Sequence, residues 1–558
     1  MILSFASERQ RFGYQNARGL SPLAIMGTLG SASDIAEIVL RTKGIVLDSL
    51  LEDDWLAASS TEAAFHQLRD QLMAVGRRLT KLQIEAGDRE QPVVESKRRD
   101  ELQALEQTVE SLQAMLARNL GDRDRVHGAL RVTIPEVQSA LPSNAILVEV
   151  VRYRHYLGME RWENRYGAVV FGAKGVTLKG GGMDEVVWVS LGAASAIETN
   201  VADYLAAMRG ERHGEASLLQ SLARQLVQPI QSHLPSGITT WIISASADLN
   251  FLNFGTLLEA HGTFLAERYR FYYVSSGRDL LMKPTMPPTS RTCAVFANPA
   301  FDLKRKLDSP PPSRLLSTAE RTSSWRDYNG LSLAVLPNTA READYLQERG
   351  KQWGTTVQSF TAQHATEASL RRLRSPQILH LATHGFVLPS ASAKGGPSEA
   401  VVFSNPMQRS GLALAGAQAT LAAWKQGEVP DPDDDGILMA QEVGLLDLKD
   451  TWLVVLSACD TGLGEARNGE GVLGLRRGFV QAGAQNLLMT LWPISDKWSV
   501  EIMKSFYDKA MASGDAPQAM AEVQAEWLAK LRKEKGALLA ARIAGPFVLT
   551  SRGKVISK

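Results

Sequence analysis

Residues 451–464 read Thr-Trp-Leu-Val-Val-Leu-Ser-Ala-Cys-Asp-Thr-Gly-Leu-Gly, and the rest of the 558-residue chain is organised around them. Trp452–Leu456 is a short apolar, β-branched run of the kind that forms a strand buried on both faces. It stops at Ser457-Ala458, and Cys459 follows, one of only two cysteines in the chain. Gly462 and Gly464 then open a loop. A thiol is thus delivered at the carboxyl end of a buried parallel strand, where open α/β sheets place ligands and chemistry. Residues 376–385, Pro-Gln-Ile-Leu-His-Leu-Ala-Thr-His-Gly, have the same form: an apolar strand, with His384 and Gly385 where it should end. Adjacent strands of one sheet would bring His384 and Cys459 together although they are far apart in the chain. The pair reads as a cysteine-nucleophile site.

Bulk composition sets the frame. At roughly 100–200 residues per domain, this length suggests three or four structural units. Apolar residues make up 44% and charged residues 22%, which is ordinary for a soluble globular protein. A formal net charge of +1 points neither to nucleic acid nor to an anionic membrane. Two cysteines make neither a disulfide framework nor a zinc site, which suits a reducing compartment. The start, Met1-Ile-Leu-Ser-Phe-Ala-Ser-Glu-Arg, lacks the apolar core of a signal peptide, and no run approaches the ~20 apolar residues of a membrane helix. The expected location is the cytoplasm.

Residues 1–55 read as helical, with Ser33-Asp34 as an N-cap and an interruption at Gly44. Phe65, Leu68, Leu72, Val75, Leu79 and Leu82 then alternate spacings of three and four, as do Leu102, Leu105, Val109, Leu112 and Leu116. With the polar joint 86–92 between them, these stripes predict an antiparallel helical hairpin. It serves either as a docking arm for a partner or simply as packing for its own domain, the blander reading being favoured. Near residue 145 the period shortens. Strands are expected at 145–151, 166–171, 186–190 and 240–244, with helices near 194–208 and 218–232, giving a mixed α/β module over 145–285. His261-Gly262 imitates His384-Gly385 but follows no clean strand, and reads as a loop histidine. Residues 283–289 form a linker, and Cys293 lies in the apolar strand 292–297 as a core residue. A helix at 340–348, a strand at 356–360 and a helix at 365–374 alternate up to the His384 strand. Two low-order stretches, 389–398 and 427–435, separate the site strands. The second ends in Asp431-Pro-Asp-Asp-Asp-Gly436, whose spacing lacks the positions of a calcium loop and reads as a solvated turn before a helix at 437–443.

Gly469-Glu-Gly-Val-Leu-Gly474 satisfies G-x-G-x-x-G, but no strand runs into its first glycine, so it is not a dinucleotide fingerprint. It reads instead as a flexible loop beside the nucleophile. A free thiol titrates near ~8.5, so an imidazole is needed to take its proton and later to protonate the departing amine. The tetrahedral oxyanion needs backbone donors, for which the N–H groups of Cys459 and Gly385 are the candidates. No carboxylate adjoins His384 in the sequence, so no triad is visible.

Residues 377–386 and 453–464 resemble the CHAT family, the caspase-like protease domain related to caspases and separases. Gly469-Glu-Gly471, Ala482-Gly-Ala484 and Leu491-Trp-Pro-Ile-Ser-Asp496 are similar too. The resemblance extends over roughly 145–558 through Asp248-Leu-Asn-Phe-Leu-Asn-Phe-Gly255 and Leu336-Pro-Asn-Thr-Ala-Arg-Glu-Ala343. It implies a caspase-like α/β sheet flanked by helices over 290–558, preceded by a non-catalytic protease-like module at 145–285 and the helical region 1–140. It also implies a cysteine endopeptidase with its dyad on His384 and Cys459, working through a thioester without a cofactor or metal. The segment ending in Asp496 would form the wall of the pocket for the residue before the cut. Asp496 and Asp460 are therefore the candidates to contact a basic side chain, unless Asp496 merely caps a helix beginning near Trp498. Two departures stand out. Ser-Ala-Cys-Asp-Thr-Gly replaces the caspase Gln-Ala-Cys-(Arg/Gln/Gly)-Gly run, so cleavage after aspartate is not implied. No 34-residue repeat is visible in 1–140, although the domain usually follows tetratricopeptide repeats. The expected partners are a protein substrate and a regulatory protein engaging the N-terminal helices. The competing function is a catalytically silent protease-fold scaffold; a thiol redox role is disfavoured by the lack of a C-x-x-C pair.

Overall fold

The computed structural model of the chain describes residues 6–553 apart from 18–29, 85–91, 121–127, 182–184, 212–214, 283–290, 305–332, 388–405, 427–433, 458–463, 468–469 and 495. It opens with helices at Glu8–Ala17, Ala32–Thr42, Ile45–Ser59, Ala63–Ile84 and Pro92–Leu120. The second is capped by Ser31, not by Ser33-Asp34. The Ser31 hydroxyl accepts the Asp34 amide at 3.2 Å, and the Asp34 carboxylate faces back to the Ser31 amide. This capping box satisfies amides that apolar spacing alone does not locate. The last two helices form the expected antiparallel hairpin: Phe65 and Leu68 at the start of one meet Leu116 and Leu120 at the end of the other. Arg78, late in the first, pairs with Glu101, early in the second.

Sixteen strands follow among the described residues: β1 (Ala145–Gly158), β2 (Arg161–Gly172), β3 (Val187–Ala193), β4 (Thr240–Ser244), β5 (Arg270–Val274), β6 (Thr292–Pro299), β7 (Thr356–Ala362), β8 (Ile378–Ala382), β9 (His384–Val387), β10 (Ser410–Ala413), β11 (Ile437–Met439), β12 (Leu453–Leu456), β13 (Glu465–Arg467), β14 (Gly471–Leu473), β15 (Asn486–Thr490) and β16 (Phe547–Ser551). Eleven of them make one mostly parallel sheet in the order β3-β2-β1-β4-β5-β16-β15-β12-β8-β6-β7. The strands of 145–285 and those of the later chain therefore share a single sheet. The seam is β16, which returns from the far end of the chain to lie parallel to β5 and antiparallel to β15.

β8 and β12 are neighbours in this sheet, with Leu453 opposite Ile378 and Leu456 opposite Leu381. Their side chains part to opposite faces, as the two-residue period requires. Ile378, Ala382, Leu453 and Val455 enter one core with the helices Thr339–Trp353, Asp496–Ser513 and Ala516–Lys535; Leu379, Leu381, Val454 and Leu456 enter another with the helix Leu475–Ala482. Each fully buried aliphatic side chain contributes roughly 1.5–3 kcal/mol relative to exposure. Strands held on both faces have ends in set positions.

Two expectations are corrected. Residues 437–443 are not one helix: β11 comes first, and only Ala440–Val443 is helical. Gly471 opens β14, which pairs with β13 instead of continuing a loose loop; Gly469 lies outside the described residues. Gly464 leads into this hairpin where a Cβ would sit 2.2 Å from the Leu473 carbonyl, so only glycine fits.

Candidate functional site

β8 leaves the large sheet after Ala382. Thr383 is buried at the break and its hydroxyl donates to the Ala413 carbonyl. His384 then opens β9, which pairs antiparallel with β10 so that His384 faces Ala413 and Gly385 faces Leu412. His384 and Gly385 thus lie just beyond the carboxyl end of β8, as expected, but continue into a second strand instead of a loop. Phe386 anchors that strand in a small core with Phe301, Ala413, Ile437 and Met439. Four residues are too few for a periodic signal in sequence.

The His384 ring is half-buried, with its centroid 5.3 Å from that of Phe301. Its Nε2 lies 2.7 Å from the Ala334 carbonyl oxygen. A carbonyl only accepts, so Nε2 carries the proton of the neutral ring and Nδ1 keeps its lone pair. This is the orienting group that the sequence failed to reveal. A main-chain carbonyl can come from any residue type and has no sequence signature. The segment carrying it is held by Leu333, whose amide donates to Gln418 Oε1 at 3.1 Å, and by packing of Leu333 and Leu336 on the Phe301 core.

On the other strand the register continues one step past β12, where the Ser457 amide donates to the Leu381 carbonyl at 3.0 Å. Cys459 is two residues on; it and Asp460 lie outside the described residues, as does the side chain of Asp496. The helix expected near Trp498 starts at Asp496 itself. After residues 458–463, Glu465 on β13 pairs with Arg409, just before β10, tying the two halves of the candidate site together. The N-terminal helices grip the same segment: Glu8 pairs with Arg477 at 2.7 Å, and the Val46 amide donates to Glu470 at 3.2 Å.

The second cysteine is unsuited to nucleophilic work. Cys293 is buried near the start of β6, and burial pushes its thiol up to about 12. His261 is an exposed turn residue 3.1 Å from Glu259.

Of the Asp-rich turn expected to be solvated, residues 431–433 lie outside the described residues, and its end, Asp435, is not solvated. Asp435 is buried, its Oδ1 accepting the Ile437 amide at 2.7 Å at the entry to β11. Glu367 lies beside it, accepting the Gly436 amide at 2.7 Å and pairing with Arg371 at 2.6 Å; Arg371 also reaches Glu442 at 3.1 Å. Burial, then the charge of Glu442, pushes Asp435 up to about 7. Burial and the charges of Asp435 and Glu442 also push Glu367 well above the carboxylate range. Gly436 is required at this turn: its φ is 85° and a Cβ would meet the Ala417 nitrogen at 2.5 Å. The cluster braces the sheet that carries His384, and the run of aspartates concealed it by looking hydrophilic. Among the described residues no group of three or more His, Cys, Asp or Glu is placed to hold a metal ion, and no helix is long and apolar enough to cross a membrane.

The family model described as the CHAT domain matches residues 216–541. No curated protein matches the chain. Two crystal structures of the Saccharomyces cerevisiae separase–securin complex are similar at 12% and 9% identity, with TM-scores of 0.32 and 0.37. The matches cover 61% and 98% of this chain but only 17% and 40% of those chains. The chain therefore spans well under half the length of these separase chains, and a likeness this distant carries no functional argument.

Proposed function

The chain belongs to the CHAT-domain family, and from that premise we propose that it is a cysteine endopeptidase acting through His384 and Cys459. One observation carries the reading. β8 and β12 are paired neighbours whose carboxyl ends lie side by side, and the imidazole just beyond β8 has its Nε2 on the Ala334 carbonyl, which leaves Nδ1 as the nitrogen that can take a proton. Nδ1 takes the Cys459 proton, and the thiolate attacks the peptide carbonyl carbon. The tetrahedral oxyanion is met by backbone N–H groups, of which those of Cys459 and Gly385 are the candidates. The C–N bond breaks as Nδ1–H protonates the departing amine, leaving a thioester. Water, deprotonated by the same nitrogen, then releases the acid. In this reading the strands of 145–285 form a non-catalytic protease-like unit, and the N-terminal helices receive a regulatory protein. Specificity for Arg or Lys before the cut is assigned to Asp496 or Asp460.

The test is incubation with proteins encoded beside it, followed by mass spectrometry of new termini. Termini that vanish in Cys459→Ala and His384→Ala, and persist in Cys293→Ala, are the expected result. Members of a catalytic unit are not additive, so either dyad substitution should cost nearly as much as both. Termini lost with Cys293→Ala and kept with Cys459→Ala would overturn the assignment of the thiol. No dyad-dependent termini from any candidate would leave a protein-binding scaffold.

A further inference from the structure

Beneath the end of β12 lies a buried polar chain that the reaction as written does not use. His380 sits in the middle of β8, opposite Val455 of β12, and is fully buried. Its Nδ1 is 2.8 Å from the Tyr507 hydroxyl, on the helix Asp496–Ser513. Its Nε2 is 2.9 Å from Oε2 of Glu342, in the first turn of the helix Thr339–Trp353, although the two are turned off the axis of a hydrogen bond. The other Glu342 oxygen accepts from the Ser457 hydroxyl at 3.1 Å. Glu342 and Ser457 are themselves buried.

The donors run one way. Burial holds Tyr507 well above its usual range, so it stays protonated and donates to Nδ1. With Nδ1 accepting from Tyr507, the ring turns Nε2 towards a carboxylate that also accepts the Ser457 hydroxyl. A carboxylate in the first turn of a helix is favoured by the helix dipole. Without the Ser457 hydroxyl it would bear more of the cost of burying a charge, so that bond is costly to lose.

We infer that the chain Tyr507–His380–Glu342–Ser457 is a latch that fixes the carboxyl end of β12 and so positions Cys459 against His384. The inference rests on the dyad reading and adds positioning residues to it. Ser457 is the last described residue before the nucleophile turn. It is held on one side by its amide to Leu381 and on the other by its hydroxyl to Glu342. Cutting the second tie leaves the strand paired but frees the turn. A misplacement of about 1 Å at a reacting group can cost roughly 10²-fold in rate.

The test needs no substrate. The rate at which iodoacetamide alkylates Cys459 in the full chain is followed against pH by mass spectrometry, with buried Cys293 as the internal control. In the wild type, the imidazole should raise the thiolate fraction at neutral pH. Ser457→Ala and Glu342→Ala should each lower the pH 7 rate roughly tenfold and move the midpoint towards the ordinary thiol value near ~8.5. The double variant should lose no more than Glu342→Ala alone, since that variant already lacks the Ser457 bond. Glu342→Gln, which still offers an oxygen to Ser457, should recover most of the loss. A folded Ser457→Ala protein with the wild-type profile, or losses that multiply, would overturn the latch. A wild-type profile already that of an ordinary thiol and unmoved by His384→Ala would instead refute the dyad reading, and the latch with it.

Discussion

Replacing Asp435 by Asn should protect the His384 sheet at pH 8 and flatten its dependence on pH. Folding raises this carboxyl from 3.8 to about 7, through burial first and the charge of Glu442 second. A carboxyl with a raised native pKa binds its proton more tightly when folded. The linked stability is therefore fully present below about pH 3.8 and is lost as the pH rises through about 7. Across pH 5 to 8 the loss is on the order of a few kcal/mol, roughly one to two orders of magnitude in a local opening equilibrium. The amide of Asn keeps an oxygen for the Ile437 N–H and, like the protonated acid, brings no charge beside Glu367 and Glu442. The assay is hydrogen exchange by mass spectrometry over 406–443, corrected for the intrinsic pH dependence of exchange. Wild-type protection of β10 and β11 should fall between pH 5 and 8, whereas the variant should hold most of it. Glu367 is also raised and faces the same turn, so a residual slope should disappear in Asp435→Asn with Glu367→Gln. Parallel profiles for wild type and single variant, or wild-type protection that rises towards pH 8, would refute this account of the cluster.

Two other outcomes follow from the readings above. In a peptide library, cleavage should favour Arg or Lys before the cut, and Asp496→Asn or Asp460→Asn should reduce that preference roughly tenfold or more; an apolar preference unmoved by both would leave specificity to pocket shape. Leu72 and Leu105 are half-buried in the helical hairpin, so Leu72→Asp with Leu105→Asp should change activation through assembly or release, and unaltered activation kinetics in a folded double variant would reduce the hairpin to packing.

Local chemistry is what the sequence determined. Apolar runs of four or five residues marked β8 and β12 because strands covered on both faces must be apolar throughout, and the heptad stripes at 65–82 and 102–116 marked the hairpin for the same reason of burial. Cys293 was recognisable as a core residue because its neighbours leave a thiol no water. The tertiary structure decided whatever depends on partners distant in the chain. Residue identity says nothing about which carbonyl meets His384 Nε2, since every residue carries one. His380 read as one more strand residue until Glu342 and Tyr507, from two separate helices, closed around it. Asp435 read as solvated because charge normally seeks water; burial beside Glu367 reverses that, at the cost of a proton held near neutral pH. The union of both α/β units in one sheet rests on β16, which returns from the far end of the chain to pair with β5. Strand pairing of that kind is set by backbone hydrogen bonds and shared burial, and neither is written in the spacing of residues along the chain.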